Sequence, residues 1–438
     1  MLRAVQVEAE TALPVDVQRI RADFPILQRK IGGKPLVYLD NAATTHKPRQ
    51  ITRTMRQFYQ THNANIHRSS HTLGMEATDL YTQAHANVAS FIGADDAREI
   101  VFVRNCTEAI NLVAYSLTSP GSWRLCLHRG DEVVVTVMEH HSNLVPWQMA
   151  CQRSGAVLKV VDILEDGTLD LQKLADAISR RTRLVCCTHV SNVLGTINPV
   201  REIGRLAHEA GALCLVDGAQ SVPHFPVDVK LLGCDFLAFS GHKMLAPMGI
   251  GVLYGRRELL GEMAPFLHGG DMIADVTPHS ASWNELPWKF EAGTANVCGA
   301  IALAGATDAG SGRRLEGAVD YLERIGMHRV RIHEAQLTRL ALEGLQSIGG
   351  VCVYGPRNAE MRAGVIAFNI DRGDPHLVAG LLNDEGIAVR SGGHCAYPLT
   401  RRLGVGGTVR ASFYVYNTMN EVERFLNVLE DIAQRKLL

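Results

Sequence analysis

Arg183-Leu184-Val185-Cys186-Cys187-Thr188, then Asn198-Pro199, then Leu213-Cys214-Leu215-Val216-Asp217, is the stretch that decides the fold. Both apolar runs have strand length and almost no polar interruption, as strands covered on both faces do. Between them Ile203, Leu206, Ala207 and Ala210 recur at helical spacing. Asn198 reads as the N-cap, Pro199 as the first helical residue and Gly211 as the stop. Strand, helix and strand make a βαβ unit, and hence a parallel sheet.

The same pattern extends in both directions. Residues 99–103, 132–136, 157–161 and 236–240 are further short apolar runs separated by amphipathic stretches. The expected architecture is α/β, with a mainly parallel sheet. Ligands of such sheets bind beyond the carboxyl ends of the strands. Asn105-Cys106-Thr107, Glu139-His140, Asp217 and Ser240-Gly241-His242-Lys243 all follow strand-like runs, so four segments deliver polar groups to one edge.

Beyond residue 300 the pattern changes. Residues 313–343 read as one long helical region, and short strands follow near 364–370 and 409–413. Thr418-Met419-Asn420-Glu421 is a capping box opening a C-terminal helix whose apolar face carries Val422, Phe425, Leu426, Leu429 and Ile432. With 438 residues, more than one core is expected. The expected division is a segment 1–30 packing on a smaller α+β domain of 301–438, beside a large domain of 31–300.

Net charge is −1, which points away from nucleic acid and from membrane surfaces. No apolar run reaches the length of a spanning helix, and Glu8 and Glu10 interrupt the start of the chain, unlike a secretory signal. A soluble, cytoplasmic protein is expected. The ten cysteines show no CxxC pair, and several sit inside apolar runs as small hydrophobes. No recognised ligand spacing links His140, His141, His189 and Cys395, so no metal site is expected.

A lysine closing one strand and an aspartate closing another suit pyridoxal 5'-phosphate (PLP) chemistry. The amine carries the aldehyde and the carboxylate pairs with the pyridine nitrogen. Plain alternatives stand beside each residue. Lys243 reads equally as a surface charge, Asp217 as a helix cap or ion-pair partner, and His140 as a packed ring. Asn105-Cys106-Thr107-Glu108 reads as ordinary capping, Arg410 as the partner of an internal acid, and Cys395 as an unreactive loop thiol.

The ordered motifs Tyr38-Leu39-Asp40-Asn41-Ala42-Ala43, Met138-Glu139-His140-His141, Asp217-Gly218-Ala219-Gln220, Ser240-Gly241-His242-Lys243, Phe290-Glu291-Ala292-Gly293-Thr294, Arg390-Ser391-Gly392-Gly393-His394-Cys395 and Val409-Arg410-Ala411-Ser412 tip these readings. Together they resemble the type II (SufS-like) cysteine desulfurases of the class V aminotransferase family, over almost the whole chain. The resemblance implies a PLP-dependent transferase fold with a seven-stranded sheet, conversion of L-cysteine to L-alanine, and a persulfide on Cys395.

By the same resemblance, Lys243 is the cofactor lysine and the base, and Cys395 and His140 are the other catalytic residues. Asp217, Gln220, Thr107, Cys106, Ser240, His242 and His140 hold the cofactor. Thr294 reaches the site of the other subunit of a homodimer. Arg410, Asn192, Ala43 and Arg390 hold the substrate. Arg390 and His394 are expected to favour the Cys395 thiolate. A SufE- or SufU-like protein is the expected sulfur acceptor, with iron–sulfur cluster assembly as the default purpose. The alternatives are a selenocysteine lyase or a desulfurase serving another biosynthetic route. Gly393 and Ala295 depart from the family pattern, which commonly has histidine and proline there, and the 117–129 connection is longer than usual.

Overall fold

Seven strands form the central sheet of the computed structural model, which describes residues 15–122, 124–371 and 373–434. They are β1 (Ile100–Val103), β2 (Glu132–Thr136), β3 (Val157–Val161), β4 (Thr182–Thr188), β5 (Leu213–Asp217), β6 (Phe236–Ser240) and β7 (Gly251–Gly255). Their order is β1-β7-β6-β5-β4-β2-β3. The pairs β2–β3, β2–β4, β4–β5 and β5–β6 are parallel, and β7 runs antiparallel to both neighbours. Every residue of β2, β5's last four and all of β6 are buried, as continuous apolar strands between two helical layers must be.

Four more strands, β8 (Val351–Tyr354), β9 (Val365–Ile370), β10 (Arg390–Gly392) and β11 (Thr408–Ser412), form an antiparallel sheet ordered β8-β9-β11-β10. Its core holds Ile366, Phe368, Val409, Phe413, Phe425 and Leu429. Val37 and Leu39 join that core from far upstream, and Val37–Tyr38 pairs in parallel with Ile387–Ala388. This strand tie brings the Asp40–Thr45 segment to the edge where the two sheets meet.

Three local expectations change. The helix after β4 spans Val200–Glu209 with Pro199 in the cap position. Asn198 is not its cap, because its Nδ2 donates to Thr188 O at 2.8 Å and ties the loop back to β4. The single helical region expected over 313–343 is two helices, Ala318–Ile325 and Met327–Ser347, broken at Gly326 with φ +91°. Ahead of them Arg314–Leu315 pairs with Ala306–Thr307 as a short ribbon.

The C-terminal helix Met419–Gln434 opens as expected: Glu421 N–H donates to Thr418 Oγ1 and Thr418 N–H to Glu421 Oε2. Of the segment expected to pack at the N-terminus, residues 1–14 lie outside the described residues. Phe24 packs edge-on against Tyr321 and 4.8 Å from the ring of Tyr416. Arg21 pairs with Glu421 at 2.8 Å. Among the described residues no helix is long and apolar enough to cross a membrane, and all ten cysteines are free.

Candidate active site

A cleft of ≈ 310 Å³ opens at the carboxyl edge of the central sheet, where the second sheet closes over it. Lys243, Asp217, Gln220, Thr107, Cys106, Ser240, His242, His140, Arg410, Asn192, Ala43, Arg390 and Cys395 all line it. Thr294 does not. It is exposed on the segment after Glu291, away from this chain's cleft.

Lys243 ends a one-turn 3₁₀ helix directly after β6. The turn is pinned through the carbonyl of His242, which accepts from Thr45 N–H at 3.1 Å, Thr44 Oγ1 at 3.1 Å, Thr45 Oγ1 at 3.2 Å and Lys47 Nζ at 2.9 Å. Leu245 N–H returns a bond to Thr45 Oγ1 at 3.0 Å, which helps hold Leu245 at φ +71°. Burial lowers the pKa of the Lys243 amine, and Asp217 opposes that effect. None of these anchors is suggested by the Ser240–Lys243 motif itself.

Asp217 is buried at the end of β5 and accepts from Ala219 N–H at 2.9 Å. Burial raises its pKa, while the Ala219 bond and the Lys243 charge lower it. Cys106 Sγ donates to Asp217 Oδ1 at 3.4 Å, and its backbone N–H to Ser240 Oγ at 2.9 Å. Its thiol, pushed up by burial and then by Asp217, is bonded to that carboxylate while the residue lines the cleft. Gln220 Nε2 donates to Ala42 O at 2.7 Å, while its buried Oε1 has no partner. A buried amide oxygen left unpaired is costly, and a polar guest in the cleft relieves it.

Asn105 caps the helix Cys106–Ser116 by accepting from Glu108 N–H at 3.0 Å, so the ordinary capping role is also present. Thr107 Oγ1 lies 2.7 Å from Ser142 Oγ, at that helix's N-terminal end, where an anion is favoured. His140 Nδ1 accepts from Ser142 N–H at 3.1 Å, which puts the ring proton on Nε2. Burial, then the charge of Lys243, holds its pKa down at about 3, so the ring is neutral. His242 is likewise lowered to about 4 by burial.

Arg410 is 2 % exposed on β11. Its partner in this chain is an internal acid: Nη2 donates to Asp40 Oδ1 at 3.1 Å and Nη1 to Asn192 O at 2.9 Å. Its Nε has none. Arg390, opposite Arg410 on β10, also donates to Asp40. Asp40 is brought here by the strand tie at Val37–Tyr38 and by its own parallel bridge to Ser412.

Cys395 is exposed at the mouth. His394 and Cys395 both lie in the left-handed region, with φ +49° and +56°. Asn192 Nδ2 holds the His394 carbonyl at 2.8 Å and His141 N–H the Cys395 carbonyl at 2.7 Å. His394 is buried, bonded through Nε2 to Thr408, and lowered by burial to about 3. It is therefore neutral and supplies no positive charge to the thiol, contrary to expectation. Arg390, Arg410 and Lys243 are the cations that sense the Cys395 charge.

At Gly393 a Cβ would lie 2.4 Å from Tyr397 Cε1. The Tyr397 ring, 4.9 Å from that of His141, thus occupies the space a larger residue would need.

The model of the family "Aminotransferase class-V" matches residues 37–425. A relative named "Probable cysteine desulfurase" from Halobacterium salinarum is 48 % identical, across 98 % of this chain and 99 % of its own length. A solved apo cysteine desulfurase from Thermococcus onnurineus NA1 superposes with a TM-score of 0.87 at 42 % identity, covering 97 % of this chain and 99 % of that one. The cysteine desulfurase CsdA from Escherichia coli, solved as an S-sulfonic acid, gives 0.85 at 37 % identity, covering 97 % and 99 %.

Proposed function

We propose, because this chain belongs to the class-V aminotransferase family and aligns along nearly its whole length with cysteine desulfurases, that it converts L-cysteine to L-alanine and carries the removed sulfur on Cys395. One observation carries the reading: Lys243, Asp217 and Cys395, 178 positions apart at their extremes, line a single cleft.

The residues present fit PLP. The buried carboxylate of Asp217 and the helix end at Thr107 are what an anionic, nitrogen-containing guest requires. Lys243 would carry it, Asp217 would face its ring nitrogen, and Thr107, Ser240 and His242 would hold its phosphate. Gln220 Nε2, already bonded to Ala42 O, has a second hydrogen for the phenolic oxygen. When bound, PLP supplies an electron sink that makes the substrate's Cα proton and Cβ–S bond labile.

The chain's own residues do the rest. Arg410 and Asn192 orient the substrate carboxylate. The Lys243 amine, its pKa lowered by burial, is suited to take the Cα proton. His140, neutral with its proton on Nε2, can donate a hydrogen bond to a guest in the cleft. The Cys395 thiolate attacks the substrate sulfur; an S–S bond forms as the C–S bond breaks, and the carbon fragment gains a proton to become L-alanine. The balance is enzyme thiol plus L-cysteine giving enzyme persulfide plus L-alanine.

The finer reading is a type II, SufS-like enzyme, acting as a cytoplasmic homodimer in which Thr294 completes the partner's site. A SufE- or SufU-like protein takes the persulfide sulfur, with iron–sulfur cluster assembly as its purpose. Its support is the exposure of Thr294 and of Cys395. The test is incubation of the PLP-loaded protein with L-cysteine and a reductant. Equal alanine and sulfide, both absent with Lys243→Ala, support the reading. No alanine from intact enzyme, even with an acceptor protein, sinks it.

A further inference from the structure

Two cysteines line the cleft, in opposite surroundings. Cys395 is exposed at the mouth, whereas Cys106 is 5 % exposed at the start of its helix, beside Asp217. The Cys106 thiol has one hydrogen and two acceptors, Asp217 Oδ1 at 3.4 Å and Ala238 O at 3.5 Å. Ala238 O already accepts from Gly218 N–H at 2.8 Å, and a carboxylate is the stronger acceptor, so the hydrogen belongs to Asp217. With Ala219 N–H at 2.9 Å, Oδ1 then holds two bonds from two different segments. Oδ2 receives none among the described residues. The helix start is packed tightly on β7, where a Cβ at Gly251 would lie 2.6 Å from Asn105 Cα, and this fixes the thiol against the carboxylate. Ionising the thiol would set a second negative charge beside Asp217; burial and then that charge oppose it.

We propose that Cys106 is a positioning residue for the cofactor: its S–H occupies Asp217 Oδ1, so that Oδ2 is the oxygen left to face the ring nitrogen of PLP. The inference rests on the reading that the cleft holds PLP. It explains how a second thiol lines the cleft without rivalling Cys395, since the thiolate and not the thiol is the nucleophile. The backbone of Cys106 has a separate task. Its N–H donates to Ser240 Oγ at 2.9 Å, which leaves the Ser240 hydroxyl hydrogen for a phosphate. Changing the side chain keeps that amide, so the two tasks can be separated.

The probes are PLP and inorganic phosphate, each titrated into apoenzyme. Cys106→Ala is expected to weaken PLP about fivefold, as loss of one hydrogen bond does, and to leave inorganic phosphate unchanged. In an Asp217→Asn background the same substitution should change PLP affinity by less than about twofold. An unchanged PLP affinity overturns the proposal. So does an equal loss for both probes, which would place the damage in the helix end, or a full loss without the Asp217 carboxylate. A wild type that binds no PLP overturns it as well.

If Cys106→Ala does not fold, the contact is read from its other side in Asp217→Asn apoenzyme. Removing the carboxylate charge is expected to speed alkylation of Cys106 by iodoacetamide about tenfold. Peptide masses report the rate, with Cys186, buried in β4, as the control for opening of the protein. A Cys106 rate that stays the same, or rises only in step with Cys186, overturns the proposal. None of these readouts needs C–S cleavage. A holoenzyme that shows them yet makes no alanine from cysteine removes the desulfurase reading and leaves this assignment standing.

Discussion

The carbonyl oxygen of Cys395 accepts a hydrogen bond from the backbone N–H of His141 at 2.7 Å. The loop bearing the proposed nucleophile is thereby hung on the turn that carries His140. A backbone donor can be deleted without changing the surroundings of the thiol by comparing two substitutions. His141→Ala keeps the N–H, and His141→Pro removes it. Loss of one well-placed hydrogen bond corresponds to about 1.4 kcal/mol, or about tenfold. Persulfide formation is therefore expected to be about tenfold slower in the proline variant than in the alanine variant, measured by rapid quench with L-cysteine. Equal rates would show that the bond does not position the thiol.

Thr45 is the other anchor that chemistry depends on. Its Oγ1 donates to the His242 carbonyl and accepts from Leu245 N–H, and the residue is buried. Thr45→Val leaves that N–H without its bond, at a cost of about 1–3 kcal/mol. Denaturant unfolding should show that loss. Because the same turn aims Lys243, kcat should fall more than KM rises. A stability loss with unchanged kcat would mean the turn holds its shape without Thr45.

Gly393 is explained by Tyr397. A Cβ at residue 393 would meet the tyrosine ring at 2.4 Å. Gly393→Ala alone is expected to cost about 1–3 kcal/mol as an overpacked contact, and far less in a Tyr397→Ala background. A double-mutant cycle by thermal or chemical unfolding measures the coupling. No coupling would contradict the packing explanation.

Much of this site was legible in the sequence, for a physical reason. Lys243, Asp217 and His140 each follow an uninterrupted apolar strand, and chain order along a parallel sheet dictates that such residues share one edge. Asp40 and the donors Thr44, Thr45 and Lys47 were not legible. They come from a segment positioned by a two-residue strand, Val37–Tyr38, paired with Ile387–Ala388. No local periodicity announces a partner 350 residues away. The neutrality of His394 was hidden likewise, since its burial against Thr408 is tertiary. The helix break at Gly326 was missed because apolar spacing continues on both sides of it.

Buried neutral histidines give the protein a defined weakness to acid. Burial lowers His46, His189 and His242 to about 4, and His140 and His394 to about 3. Unfolded, each binds a proton near the ordinary value of about 6.5. Between about 6.5 and 4 the unfolded chain therefore holds more protons than the native state, so stability falls as pH falls. Each histidine contributes at most about 1.4 kcal/mol per pH unit. Unfolding free energies at pH 7 and pH 5 check the sign, and His189→Asn should flatten the slope. Glu139, raised by burial to about 8, acts in the opposite direction across the same window, so the diagnostic is the difference between the two proteins, and an unchanged slope in His189→Asn would contradict these burial effects.

The most direct test of the account is the mass of the Cys395 peptide after the PLP-loaded protein meets one equivalent of L-cysteine without reductant. The account predicts one added sulfur atom on Cys395, alanine in equal amount, and no added mass in Lys243→Ala. Alanine released while Cys395 stays unmodified, or sulfur found on another cysteine, would contradict it.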